Sequence, residues 1–399
     1  MRSICTRVKF LTVVAAAIIA SALTSDAQIT FTRLSGMRSP SGVSGDGSIV
    51  VGNDNINGAT GLRWTAATGF VPLSSGTASP TAISDDGSMI VGVGIAALRI
   101  APIRWTPSEG VTFLPAPTGS IDSRPLSVSG DGTIAAGFTS FSGQVTQATR
   151  WVGTQPNLLP FLPNGDTNSM AYAISTDGST VVGSAGLSPG NVHAVRWTET
   201  EGISDLGAMG GYNSVATGVS ADGSSIIGYV VPKKTSSEVN GFVTTTGGIT
   251  TELSLLGQSV IPRAISADGN FVIGYNQDDG GPLHGFFWTP GSGLRDLSDV
   301  LTHEYNLTQQ LGGWTGLYAS TMSSDGRFVG GGGFYNGTFE GWLLDRGINP
   351  PPLEEAPPPP ISAVPEPGMY GVAASIFLLG FAMFRRNFQA RSRQDSRSA

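Results

Sequence analysis

Ser175-Thr176-Asp177-Gly178-Ser179-Thr180-Val181-Val182-Gly183 is one of seven copies of the pattern Ser-x-Asp-Gly-x-x-x-x-Gly, and that recurrence decides the fold. The turn aspartates are Asp46, Asp86, Asp131, Asp177, Asp222, Asp268 and Asp325, spaced 40, 45, 46, 45, 46 and 57 residues apart. Self-similarity at such a period marks an array in which each unit is one supersecondary element unable to bury its own faces.

Four short segments surround each Asp-Gly in the same order. In the fourth copy they are Ala171 to Ser175, Ser179 to Gly183, Ala194 to Thr198 and Gly202 to Leu206, designated strands a, b, c and d. Each is β-branched or aromatic and bounded by Gly, Pro, Asn or Ser, the signature of strands joined by tight turns. Between a and b, Gly accepts a positive φ and the Asp side chain can bind the backbone ahead of it. No segment of the body keeps an apolar 3.6-residue period, so helices should be few. Four antiparallel strands per repeat describe a propeller blade.

Strand d occurs six times: Gly69 to Leu73, Gly110 to Leu114, Asn157 to Phe161, Gly202 to Leu206, Gly248 to Leu253 and Gly293 to Leu297. The seventh repeat has strand c, Phe339 to Leu344, and then runs into prolines without a d. A spare strand, Ile29 to Leu34, lies at the other end of the body. The expected fold is therefore all-β: a seven-bladed β-propeller of four-stranded blades over residues 28–346, closed by the N-terminal strand. Closure leaves no unpaired sheet end at the seam. A solenoid, the rival, would need polar caps instead.

The ends read as addresses. Arg2, Arg7 and Lys9, then an apolar run from Phe10 to Leu23, then Ser25-Asp26-Ala27 form a secretory signal over residues 1–27. Residues 347–363 are a stiff proline-rich linker. Val364-Pro365-Glu366-Pro367 precedes an apolar stretch, 368–384, which is expected to form a single transmembrane helix at the short end of spanning length. Arg385, Arg386, Arg391, Arg393 and Arg397 follow, placing the tail in the cytoplasm and the body outside.

Pro365-Glu366-Pro367, one apolar helix and an Arg-rich tail beginning at Arg385 and Arg386 resemble the PEP-CTERM sorting signal of Gram-negative bacteria, over residues 364–399. The resemblance implies processing by an exosortase, a membrane protease-like transpeptidase. It also implies transient anchoring in the inner membrane, then passage to the periplasm, cell surface or extracellular matrix. The Ser-x-Asp-Gly turns, the Val-Val-Gly strands and the Arg-Trp-Thr segments are similar to the HAF family of extracellular repeats, which implies a location rather than an activity.

Composition narrows the function. The one cysteine, Cys5, lies in the signal, so the mature chain has no disulfide or thiol chemistry. His193, His284 and His303 lack metal-site spacing, and no cofactor or metal is expected. Without the signal and the residues from 368 onward, the chain holds 14 basic and 27 acidic side chains, a net charge of −13. Such a body argues against nucleic acid and anionic membrane surfaces as partners.

Each turn Asp stands alone in its repeat, whereas calcium wants six to eight convergent oxygens, so the seven are expected to be structural. The pairs Arg63-Trp64, Arg104-Trp105, Arg150-Trp151 and Arg196-Trp197 on strand c should pack between blades, with Arg63 paired to Asp46 or Asp86. The ends of strand a, such as Gly42-Val43-Ser44 and Ala173-Ile174-Ser175, are small and neutral, which argues against an enzyme. The long stretch from Ser298 to Gly316 carries His303, Glu304, Tyr305 and Trp314 and is the candidate ligand face; the alternative is a structural loop over the channel mouth. The expected role is a non-enzymatic surface or matrix module that binds extracellular polysaccharide or a surface protein. The alternatives are a secreted polysaccharide hydrolase or lyase, and a purely structural matrix component.

Overall fold

The computed structural model describes residues 28–54, 60–74, 76–96, 99–163, 165–188, 191–232, 238–255, 257–278 and 281–353. They form seven four-stranded antiparallel sheets. Blades 1 to 6 run a-b-c-d in chain order, and strand a of each blade lies against strand a of both neighbours, closing a ring. The seventh sheet pairs Trp314–Met322, Phe328–Tyr335 and Thr338–Asp345 with the N-terminal strand Thr30–Leu34. Thr30 stands opposite Asp345 and Leu34 opposite Gly341, so the expected closure is formed.

Every part of the repeat has a mechanical role. In blade 1 the Ser44 hydroxyl donates to Asp46 Oδ1 at 2.7 Å and accepts the Ile49 N–H at 3.0 Å, while Asp46 Oδ1 also accepts the Ser48 N–H at 2.9 Å. The Ser-to-Asp bond recurs in all seven blades. Gly47 has φ +69°, a left-handed conformation that needs no Cβ. The closing glycine answers a β-bulge between strands a and b, present in every blade. In blade 3 the bulge turns the Arg124 carbonyl over Gly137, and a Cβ there would lie 1.9 Å from that oxygen.

In four blades the bulge also lets an inner-strand hydroxyl reach sideways. Ser41 donates to the Pro80 carbonyl at 2.9 Å, Thr81 to Pro125 at 2.8 Å, Thr217 to Pro262 at 2.9 Å and Ser320 to Pro40 at 2.9 Å, each crossing to the next blade. On the a–b turn face, backbone bonds such as Gly45 N–H to Asp85 O and Gly130 N–H to Thr176 O stitch blade to blade.

Apolar cores lie between blades rather than within one sheet; Val51 of blade 1, for example, packs with Ile83, Ile90 and Ile103 of blade 2. Trp151, Trp197 and Trp342 are buried, and the indole N–H of Trp151 donates to the Pro115 carbonyl.

Most expected strands are met to within one or two residues, and two of the boundaries that shift have a local cause. Strand d of blade 3 is Gln155–Leu158, because Pro160 ends the ladder early. Strand d of blade 6 stops at Asp296, whose side chain accepts the Asp299 N–H and starts a short helical turn at Leu297. Among the described residues, no helix is long and apolar enough to cross a membrane. The signal, the expected helix 368–384 and the sorting motif with Pro365, Glu366, Pro367, Arg385 and Arg386 lie outside the described residues.

Candidate functional site

The stretch from Ser298 to Gly316 folds inward. Leu297–Asp299 and the π-turn Val300–Glu304 bury Leu297, Val300 and Leu301. Tyr305 is 4% exposed and Trp314 9%. The Tyr305 hydroxyl accepts Arg346 Nε at 3.0 Å, and Trp314 packs edge-on to Phe31 with ring centres 5.8 Å apart. Glu304 accepts from Arg295 at 2.6 Å, and its other carboxylate oxygen is buried without a partner. His303 alone of the four faces solvent, beside Asp299. The candidate ligand face is therefore corrected: Tyr305 and Trp314 anchor the loop to the core of blades 6 and 7, as its aromatic content makes favourable.

The turn aspartates are already engaged. The backbone N–H of Ser48 and the Ser44 hydroxyl hold Asp46 below the usual carboxylate range, and the Ser129 hydroxyl with the Thr133 N–H does the same for Asp131. Among the described residues, no group of three or more His, Cys, Asp or Glu side chains is placed to hold a metal ion. His193 sits 3.0 Å from Asp205.

The strand c arginines pair differently from expectation. Arg104 bonds Glu109, Arg196 bonds Glu201, and Arg150 reaches Glu199 of the next blade. Arg63 lies over the Trp105 ring, 5.4 Å from its centre, and not against Asp46 or Asp86. The physical reason is that Asp46 and Asp86 already accept from their own serine and backbone donors, whereas the exposed glutamates Glu109, Glu199 and Glu201 lie within reach of the other three arginines.

The inner strands carry more chemistry than their small C-terminal ends. Strand a begins earlier than those ends and brings in Arg38, Asp122, Arg124, Tyr172 and Arg263. Arg124 Nε donates to Asp122 at 2.8 Å, while Asp122 Oδ1 is buried without a partner. Arg38 lies 5.0 Å over Phe339, which stacks on Tyr318, and Tyr318 meets Tyr275 edge-on at 6.0 Å. Burial pushes the Tyr172, Tyr229 and Tyr318 phenols above their ordinary range, and the positive field of Arg38 and Arg263 works against that at Tyr318. Guanidinium and phenol groups are hydrogen-bond donors, suited to acceptor-rich ligands such as carboxylated or hydroxylated sugars.

No family model and no curated protein sequence matches the chain. Solved structures do. The oligogalacturonate lyase from Vibrio parahaemolyticus is similar at TM-score 0.53 and 11% identity, covering 81% of this chain and 95% of that one. An oligogalacturonate lyase in complex with manganese is similar at TM-score 0.51 and 12% identity, over 79% and 92%. TolB from Acinetobacter baumannii gives TM-score 0.45 and 16% identity, over 75% of this chain and 63% of that one. At these identities the likeness is one of fold.

Proposed function

We propose that the chain is an exported propeller that recognises a polysaccharide or a surface protein at the bacterial surface or in the extracellular matrix. In this reading a signal peptide exports it, a PEP-CTERM-like tail anchors it in the inner membrane, and an exosortase processes it at Pro365-Glu366-Pro367. The observation that carries the recognition reading is the asymmetry of the ring's two faces. On one, seven near-identical turns are stitched together by backbone bonds. On the other, connections of unequal length surround inner strands bearing Arg38, Arg124, Arg263, Tyr172 and Tyr318. Variable loops on a rigid frame are where binding resides.

The inner-strand cluster also favours a second reading, a secreted polysaccharide hydrolase or lyase, since guanidinium and phenol groups can hold an acidic sugar. One experiment separates them. The purified full chain is incubated with a panel of extracellular polysaccharides. Retention without new chain ends, lost on Arg38→Ala or Arg263→Ala, supports recognition; new reducing or unsaturated ends replace it with the enzyme.

A further inference from the structure

One position on strand c recurs in every repeat. It is opposite the fifth residue after the turn Asp, and it is held by Arg63, Arg104, Arg150 and Arg196 in blades 1 to 4. Blade 5 has Val243, blade 6 has Phe287 and blade 7 has Leu343. Arg104 and Arg196 bond Glu109 and Glu201 of their own blades, whereas the heads of Arg63 and Arg150 each meet one feature of the next blade. Arg63 lies over the Trp105 ring, 5.4 Å from its centre. Arg150 donates to the carbonyl of Gly178, the turn glycine of blade 4, at 3.3 Å.

Blade 6 lacks the arginine, yet a guanidinium still arrives. Arg346, from the segment after the last strand, donates to the carbonyl of Gly326, the turn glycine of blade 7, at 2.8 Å, with its head 3.8 Å from the Phe271 ring centre. The interface between blades 5 and 6 has neither solution. Val243 is short, and a cleft of about 510 Å³ opens, lined among others by Val243, Glu252, Gly269, Asn270 and Trp288. Gly269 is the turn glycine of blade 6 and Trp288 its strand c tryptophan; elsewhere Arg150 and Arg346 meet such a glycine and Arg63 such a tryptophan.

We infer that this cleft receives a guanidinium group from outside the chain, the arginine side chain of a partner protein. A planar guanidinium can lie against the Trp288 ring, donate to Gly269 and pair with Glu252 together; an ammonium, being a compact point charge, cannot do all three. The net charge of −13 over residues 28–367 draws a cationic partner. The inference rests on the recognition reading and names the chemistry of one ligand.

The test titrates the purified full chain with two blocked tripeptides, Gly-Arg-Gly and Gly-Lys-Gly, by calorimetry. The arginine peptide binds at least ~5-fold tighter than the lysine peptide. Val243→Arg fills the cleft from within, weakens binding at least ~10-fold and raises Tm. Glu252→Gln, on an exposed strand, weakens binding several-fold with Tm unchanged, so the result does not hang on one variant folding. Equal binding of the two peptides overturns the inference, as does arginine binding that survives both variants or displacement of the peptide by a neutral oligosaccharide. Should the cleft fail while the chain still binds polysaccharide or protein through Arg38 or Arg263, the inference falls and the recognition reading stands. Should nothing bind anywhere, both fall.

Discussion

Arg33 holds Glu340 with both arms of its guanidinium, Nε to Oε2 at 2.5 Å and Nη2 to Oε1 at 2.9 Å, across 307 residues of sequence. Arg33 lies on the closing strand and Glu340 on the last strand of the body. The two are unequal: the Glu340 side chain is 5% exposed and that of Arg33 42%. Removing Arg33 strands a buried carboxylate, whereas removing Glu340 releases an arginine that can turn to water. Arg33→Ala therefore lowers Tm more than Glu340→Ala, and the double variant is more stable than Arg33→Ala alone. Thermal melts of the three proteins check the ranking, and equal losses would refute it.

Gly137→Ala sets a Cβ 1.9 Å from the Arg124 carbonyl, a clash with backbone that no rotamer relieves. It costs about 3 kcal/mol or more. Gly110→Ala, at φ +67° with nothing within 4 Å of the new atom, meets only left-handed strain. That costs about 1–2 kcal/mol. Denaturant melts compare them; similar losses would show that the bulge does not demand the glycine.

Acid should loosen the ring at its turns. Asp46, Asp131 and Asp222 titrate below the ordinary carboxylate range in the folded chain, chiefly through donated hydrogen bonds. Their stabilisation is complete above the unfolded value of about 4 and is lost as pH falls through the lower folded value. Tm is expected to stay level down to about pH 5 and to drop below about pH 4. Asp131→Asn removes part of that drop, which a pH series of melts measures.

Asp85 behaves in the opposite sense. Burial pushes its carboxyl up, and Asp325 and Asp86 add to this, against a hydrogen bond from Ser324. A carboxyl raised on folding opposes stability when ionised, so Asp85→Asn raises Tm at pH 7, and the gain shrinks as pH falls through the raised folded value and is gone below the unfolded value of about 4. A gain that persists unchanged into acid would point to packing instead of charge.

The blade count and the closing strand were legible because they rest on turn chemistry repeated along the chain and on one missing strand. The bulge was not: it shifts the a–b register by one residue, which an alternation pattern cannot show, yet it explains Gly137 and its counterparts. Tyr305 and Trp314 looked like surface aromatics because their loop is long, but that length serves to fold them back under blades 6 and 7. The inner-strand arginines were overlooked because only the last residues of strand a were weighed. The cleft at Val243 had a signal in plain view, since Gly241-Phe242-Val243-Thr244 stands where four other repeats carry Arg-Trp.

The strand Thr338–Asp345 lies in the interior of its sheet, flanked by Phe328–Tyr335 and by the N-terminal strand. Any tether beyond Asp345 therefore tugs on a strand gripped from both sides. A force along that direction must shear two ladders of hydrogen bonds at once, where an edge strand could be unzipped bond by bond. The edge strand Thr30–Leu34 shares that load through one of the two ladders. Closing the circle with the first strand therefore sets the last strand of the body between two neighbours instead of at an open edge.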